Sequence, residues 1–248
     1  MKFIGIDLGW KSGASGLCCL ELKENKLQIL DLDIKLEISE VLAWCDRAIT
    51  PAESGIIAVD APTIIPNQTG MRLPDKLTHR HFGRYHAGCY PANLNRPFAD
   101  RTVGFGNSLT ERKFQHAPKI EAKKLGRYQI EVFPHPATIN LFKLERILKY
   151  KKGKIAEKKS ELEKLKNYIC SVLPSLEPAL KIDSIPAIPS KITGKELKNI
   201  EDKLDSVICA YVAAYWWYWG ERKNLVLGDE IAGYIVIPRP EASENMAQ

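Results

Sequence analysis

Five acidic residues stand where apolar runs begin or end, and carboxylates brought together from such places do metal chemistry. Asp7 closes Phe3-Ile4-Gly5-Ile6, Asp60 closes Ile56-Ile57-Ala58-Val59, Glu131 follows Ile130, and Asp202 and Asp205 precede the apolar stretch 207–217. A carboxylate at the edge of a hydrophobic core is costly unless a positive charge joins it, so convergence of these groups implies a bound cation. Oxygen ligands alone suit a hard ion, Mg²⁺ or Mn²⁺.

Each acid also has a plainer reading. Asp7 lies in Asp7-Leu8-Gly9, a common turn signal. Asp60 is followed at once by Ala61-Pro62, so it is either a strand-end ligand or a cap on the next loop. Asp202 and Asp205, three apart, share one helix face, but an acidic pair at a helix start is also favoured by the macrodipole. Glu131 is either a further ligand or a residue orienting a lysine. Lys149, Lys151, Lys152 and Lys154 form a basic run suited to phosphate contacts, or a solvated surface. A histidine could act as proton shuttle for an attacking water, but His79, His81, His86 and His116 fall in a polar region where solvated surface is the plainer reading, and His135 follows Pro134 where it could cap a helix. The run Trp216-Trp217-Tyr218-Trp219 covers several helix faces and reads mainly as core.

The elements that must position these groups can be read from periodicity. Residues 2–7, 17–22 and 26–33 are strands joined by short turns, an antiparallel meander. Residues 37–49 carry Ile38, Val41, Leu42, Cys45 and Ile49 at helical spacing, and 56–59 is a buried strand reached by a parallel crossover. From residue 61 to about 126 the periodicity dissolves into prolines, glycines, histidines and arginines, a long insertion of the kind that serves as a functional lid. A strand at 128–133 and helices at 137–149, 154–172 and 194–219 follow, then a short strand at 234–237. The order β-β-β-α-β-insertion-β-α-α-α predicts an α/β fold: a mixed five-stranded sheet, three antiparallel strands then parallel ones, flanked by helices in the ribonuclease H arrangement. One domain over residues 1–240 and a C-terminal tail at 241–248 are expected.

Composition adds limits. The chain has 248 residues, a net charge of +6 and a pI near 8.9, a mild lean towards an anionic partner. The six cysteines include no CxxC pair, which argues for reduced thiols and a cytoplasmic protein. No signal peptide is visible, and the apolar run 207–219 is too short to span a bilayer.

Several short motifs in order carry a family resemblance. They are Gly5-Ile6-Asp7-Leu8-Gly9, Ala58-Val59-Asp60-Ala61-Pro62, Ile130-Glu131-Val132-Phe133-Pro134, Lys149-Tyr150-Lys151, the segment 202–210 and Gly233-Tyr234-Ile235-Val236-Ile237-Pro238. Over residues 1–240 the chain resembles the domain of unknown function 429 family, a set of predicted nucleases of ribonuclease H-like fold. The resemblance implies that Asp7 bridges two divalent cations, with Asp60 supplying a second carboxylate and Asp205, on the final helix, a third. Two hard cations about 4 Å apart would activate water for in-line phosphodiester displacement.

The expected activity is therefore divalent-metal-dependent phosphodiester hydrolysis on nucleic acid or a nucleotide-derived substrate. Asp7, Asp60, Asp205 and Glu131 would be catalytic, and Asp7, Asp60, Asp202 and Asp205 metal-binding. Arg80, Arg84, Lys149 and Lys151 would contact substrate, the two arginines one turn apart if residues 77–85 are helical. Two other classes compete: an actin-like ATPase or kinase relative, because Gly5-Ile6-Asp7-Leu8-Gly9 resembles a phosphate loop, and a non-catalytic nucleic-acid-binding module. Against the first, no second phosphate hairpin or Gly-rich adenosine loop is visible. The oligomeric state is open, a homodimer included.

Overall fold

In the computed structural model, which describes residues 1–240, the centre of the sheet is β1 (Lys2–Asp7). The expected tail at 241–248 lies outside the described residues. β1 pairs antiparallel with β2 (Ser15–Lys23), which pairs antiparallel with β3 (Lys26–Lys35). Glu24 and Asn25 both take positive φ, the backbone a two-residue hairpin needs for its twist to match that of the strands. Helix α1 (Ile38–Ala48) then crosses to β4 (Gly55–Val59), parallel to β1 on its other side.

The insertion is more ordered than its sequence suggests. It holds α2 (Leu73–Phe82), α3 (Ala99–Glu111) and a two-residue strand, β5 (Gln115–His116). The buried face of α3 is Ala99, Thr102, Phe105, Gly106 and Leu109, which has helical spacing but little hydropathy. The insertion also has a small core of its own, built on Ile65, Ala92, Phe98 and Ala99.

β6 (Arg127–Glu131) pairs parallel with β4. The helix expected at 137–149 is instead α4 (Pro134–Phe142), entered with proline in its first turn and stopped by Lys143 at φ 54°. Residues 144–154 therefore form a loop, which carries Tyr150 and Lys151. α5 (Ile155–Val172), the short strand β7 (Ala179–Leu180) and α6 (Gly194–Trp219) follow. A hairpin of β8 (Asn224–Asp229) and β9 (Gly233–Pro238) ends the described chain, where only the second strand was expected.

The main sheet has seven strands in the order β5-β6-β4-β1-β2-β3-β7, not five. The expected five form its middle; the additional edge strands are two residues each, too short to carry a period. Helix α6 lies across β1, β2 and β4 on one face, covered in turn by α4 and α5. It is buried nearly all round along its second half, which explains the apolar run on every side of it. The other face is closed by α1 and α3 over Ile4, Ile6, Ile57 and Val59. Among the described residues, no helix is long and apolar enough to cross a membrane.

A carboxylate cluster under a lysine pair

Strand alternation decides which acids meet. Phe3 packs on the α6 side of the sheet and Ile4 and Ile6 on the other, so Gly5 and Asp7 face α6. Ile56 and Ala58 put Asp60 on the same side by the same rule. The helix comes close because glycine lets it. A Cβ on Gly5 would stand 2.1 Å from Ser206 O, and one on Gly16 would stand 2.0 Å from Asp202 O. Gly16 pairs with Asp7, so these two glycines seat the Asp202 to Ser206 stretch directly over the end of β1.

Asp7, Asp60, Asp202 and Asp205 are all buried. Asp7 and Asp202 lie within hydrogen-bonding reach of each other, an arrangement that needs a shared proton. Burial raises the Asp202 carboxyl to about 8, helped by Asp7 and opposed by Lys198. Burial likewise raises Asp7 and raises Asp60 further, Lys151 opposing in both cases. Asp205, with no exposed surface, accepts 2.7 Å from the Tyr150 hydroxyl at Oδ1. Its Oδ2 lies 2.8 Å from Lys151 Nζ, a charge contact without hydrogen-bond alignment.

Two lysines thread the acids. Burial works against the charge of Lys151, but Asp205, Asp7 and Asp60 outweigh it and hold the ammonium well above its ordinary pKa. Lys198 contacts Asp202 and donates 2.9 Å to Glu201, which is itself buried with one oxygen lacking a hydrogen-bond donor. Lys158 stands 3.7 Å from Glu201. Five carboxyl groups against these three lysines leave two negative charges when all are ionised, the charge of one divalent cation.

The donor set fits a hard cation: oxygen ligands only, mutually repelling, with Asp205 Oδ2 and Glu201 Oε2 short of donors. Among the described residues, no group of three or more His, Cys, Asp or Glu side chains is arranged to hold a metal ion as it stands. The Lys151 ammonium sits among the carboxylates, so a cation entering there would have to shift it.

Glu131 stands apart from the four aspartates. Ile130 and Val132 face the α6 side, so Glu131 points to the opposite face with Gln129. There Arg72 grips it through two hydrogen bonds of 2.6 and 2.9 Å, and the Thr63 amide donates at 3.2 Å. Burial pushes its carboxyl up to about 7 despite Arg72, so Glu131 orients an arginine where a lysine was considered. Of the expected substrate contacts, Lys151 is in the cluster. Arg80 and Arg84 are exposed, the latter folded over the Tyr85 ring at 4.6 Å. The Lys149 side chain is exposed while its backbone N–H donates to Glu161, and none of these three touches the aspartates. Asp202 is two turns into α6, beyond the reach of the helix-start effect that was the alternative for it.

Sequence reasoning missed Tyr150, Lys198, Glu201 and Arg72, and weighed His135 as a proton shuttle no more than the other histidines, beside a helix-capping role. His135 packs 5.6 Å from the Tyr150 ring, with Nδ1 buried and unpartnered. Burial and Lys151 lower it to about 4, so it is neutral at pH 7. The Tyr150-Lys151 dipeptide was the available signal, since a tyrosine inside a lysine run has little reason to be exposed. Trp216 and Trp217 are core residues, as expected.

No curated protein and no solved structure matches the chain. The sequence profile described as "Protein of unknown function (DUF429)" matches residues 5–230, nearly the whole chain, and the protein belongs to that family.

Proposed function

We propose that the protein is a divalent-metal-dependent phosphodiesterase of ribonuclease H-like fold, acting on nucleic acid or a nucleotide-derived substrate. The observation that carries this reading is the meeting of Asp7, Asp60, Asp202 and Asp205 from three elements at one sheet edge, where the carboxylates, once ionised, outnumber the lysines that face them. The strand order β3-β2-β1-β4-β6, antiparallel then parallel, supports it, since a ribonuclease H-like fold would have that order. A basic chain, net +6, suits a polyanionic substrate.

Mg²⁺ or Mn²⁺ would be held by Asp7, Asp60, Asp205 and Asp202, and would supply Lewis acidity and a lowered pKa for bound water. The chain's own groups prepare that site. Tyr150 fixes the rotamer of Asp205 through its hydroxyl. Lys151, whose side chain is a third exposed, would be released from the aspartates by the metal and could meet a substrate phosphate. His135, neutral with a free Nδ1, can hold a proton released nearby. Arg80 and Arg84 on the open side of α2 and the turn after it, with Lys149, are the proposed outer phosphate contacts.

Labelled single- and double-stranded DNA, RNA and junctions, incubated with Mg²⁺ or Mn²⁺, test the reading. Cleavage of at least one that needs metal but no ATP, and is lost in Asp7→Asn, is expected. Metal-dependent ATP turnover at about 1 per second, with no cleavage of any nucleic acid, would replace this function with the ATPase alternative.

A further inference from the structure

Beside Asp60 the surface dips into a recess with about 320 Å³ of empty space, part of it open to solvent. Its rings are Trp10, Tyr90 and Phe133, and its interior is Arg72, Asp75 and Glu131. The interior is finished. Arg72 spends every guanidinium N–H on its neighbours: Nε on Asp75, Nη1 on Ile64 O and Glu131, Nη2 on Asp75 and Glu131. With one arginine against two carboxylates and no guanidinium donor left over, this floor repels a phosphate. Asp75 is filled by Arg72 and the Ala92 amide, while Glu131 Oε1, bonded to Arg72 alone, keeps an open lone pair.

The rings are held in place. Trp10 donates from Nε1 to the Asp60 carbonyl at 2.9 Å and packs 4.7 Å from Phe98, which also supports Tyr90 at 6.2 Å. Arg96 lies 5.1 Å over the Tyr90 ring, whose residue is 59% exposed at the mouth. Aromatic rings above one carboxylate oxygen with an open lone pair suit a flat, uncharged ring bearing an N–H group on its edge.

We propose that this recess takes one unpaired nucleobase of the substrate, its face against Tyr90 and Trp10 and its edge towards Glu131. The inference rests on the phosphodiesterase reading for the choice of a nucleotide, and narrows it to substrates whose base is out of the duplex stack at the acidic site. A paired base has its edge N–H groups occupied and cannot enter.

The test uses the full chain carrying Asp7→Asn to prevent cleavage, and fluorescence anisotropy with two probes: a labelled single-stranded DNA hexamer and an abasic sugar-phosphate chain of equal length. The hexamer should bind more tightly than the abasic chain. Tyr90→Ala should weaken the hexamer about 5- to 10-fold, the low end for loss of a stacking partner because this ring is half exposed, and leave the abasic chain unchanged. Tyr90→Phe should keep wild-type affinity. Equal affinity for the two probes, or an equal loss on both in Tyr90→Ala, overturns the base site while leaving the phosphodiesterase reading standing. Failure of both probes to bind the starting protein overturns the base site and the nucleic-acid arm of the phosphodiesterase reading.

Discussion

Replacing Lys151 with Met separates a counter-ion from a simple surface lysine. Lys151 Nζ is 2.8 Å from Asp205 Oδ2, and its charge also opposes the burial of Asp7 and Asp60. Removing one partner of a fully buried pair costs about 3–5 kcal/mol; a third of the Lys151 side chain is exposed and the cluster can take up a proton, so about 2 kcal/mol is expected. For a chain of this size that is a fall in Tm of about 4–8 °C without metal. Metal should reverse the order. With no ammonium to displace, Mn²⁺ should bind the variant about tenfold more tightly, ~1.4 kcal/mol, so its Tm should rise further on metal addition than the wild type's. Differential scanning calorimetry with and without Mn²⁺, beside isothermal titration, reads both quantities, and Lys151→Arg should restore the metal-free Tm. An unchanged metal-free Tm together with weaker Mn²⁺ binding would show that Lys151 does not neutralise the aspartates.

Raised carboxyls make stability depend on pH with a definite sign. Asp202 near 8 and Glu131 near 7 hold protons in the folded chain that the unfolded chain has released above about pH 4, so their contribution is complete below that pH and lost as pH rises through 7 and 8. Metal-free Tm should therefore fall from pH 5 to pH 8, and saturating Mn²⁺, which takes the ionised carboxylates, should flatten the slope. Gly5→Ala drives a Cβ into Ser206 O and the Ala210 amide, and should cost about 3 kcal/mol in urea unfolding. Arg72→Met strips Asp75 and Glu131 of their shared partner and should cost about 3–5 kcal/mol, while Arg80→Ala with Arg84→Ala should leave Tm within about 1 °C and reduce the salt slope of substrate binding.

The strands that end in Asp7 and Asp60 were legible because an apolar run, an acid and a glycine or proline stop follow one another within eight residues. Helix α6 was legible through its Thr193 start, which caps the first turn through Glu196, and its long apolar half. Alternation past Ile130 would also have placed Glu131 on the far face, had it been applied there. The insertion was not legible, since α3 buries Thr102 and Gly106 alongside Phe105 and Leu109, so its spacing is helical while its hydropathy is flat. Nor could the lysine run say which of its members turns inward. That depends on α4 stopping at Phe142, a tertiary outcome fixed by the left-handed Lys143. Arg72 was hidden for another reason: its partners Asp75 and Glu131 are 3 and 59 residues away, and only the second brings the insertion back to the sheet.

Isothermal titration of Mn²⁺ into the wild type, Asp7→Asn and Asp205→Asn tests the central claim, that these carboxylates form one cation site. The account predicts binding to the wild type and its loss, or a weakening of at least about tenfold, in each variant. Asp7→Asn should keep or raise the metal-free Tm, because it relieves repulsion beside Asp202. Unchanged Mn²⁺ affinity in both variants would contradict the claim.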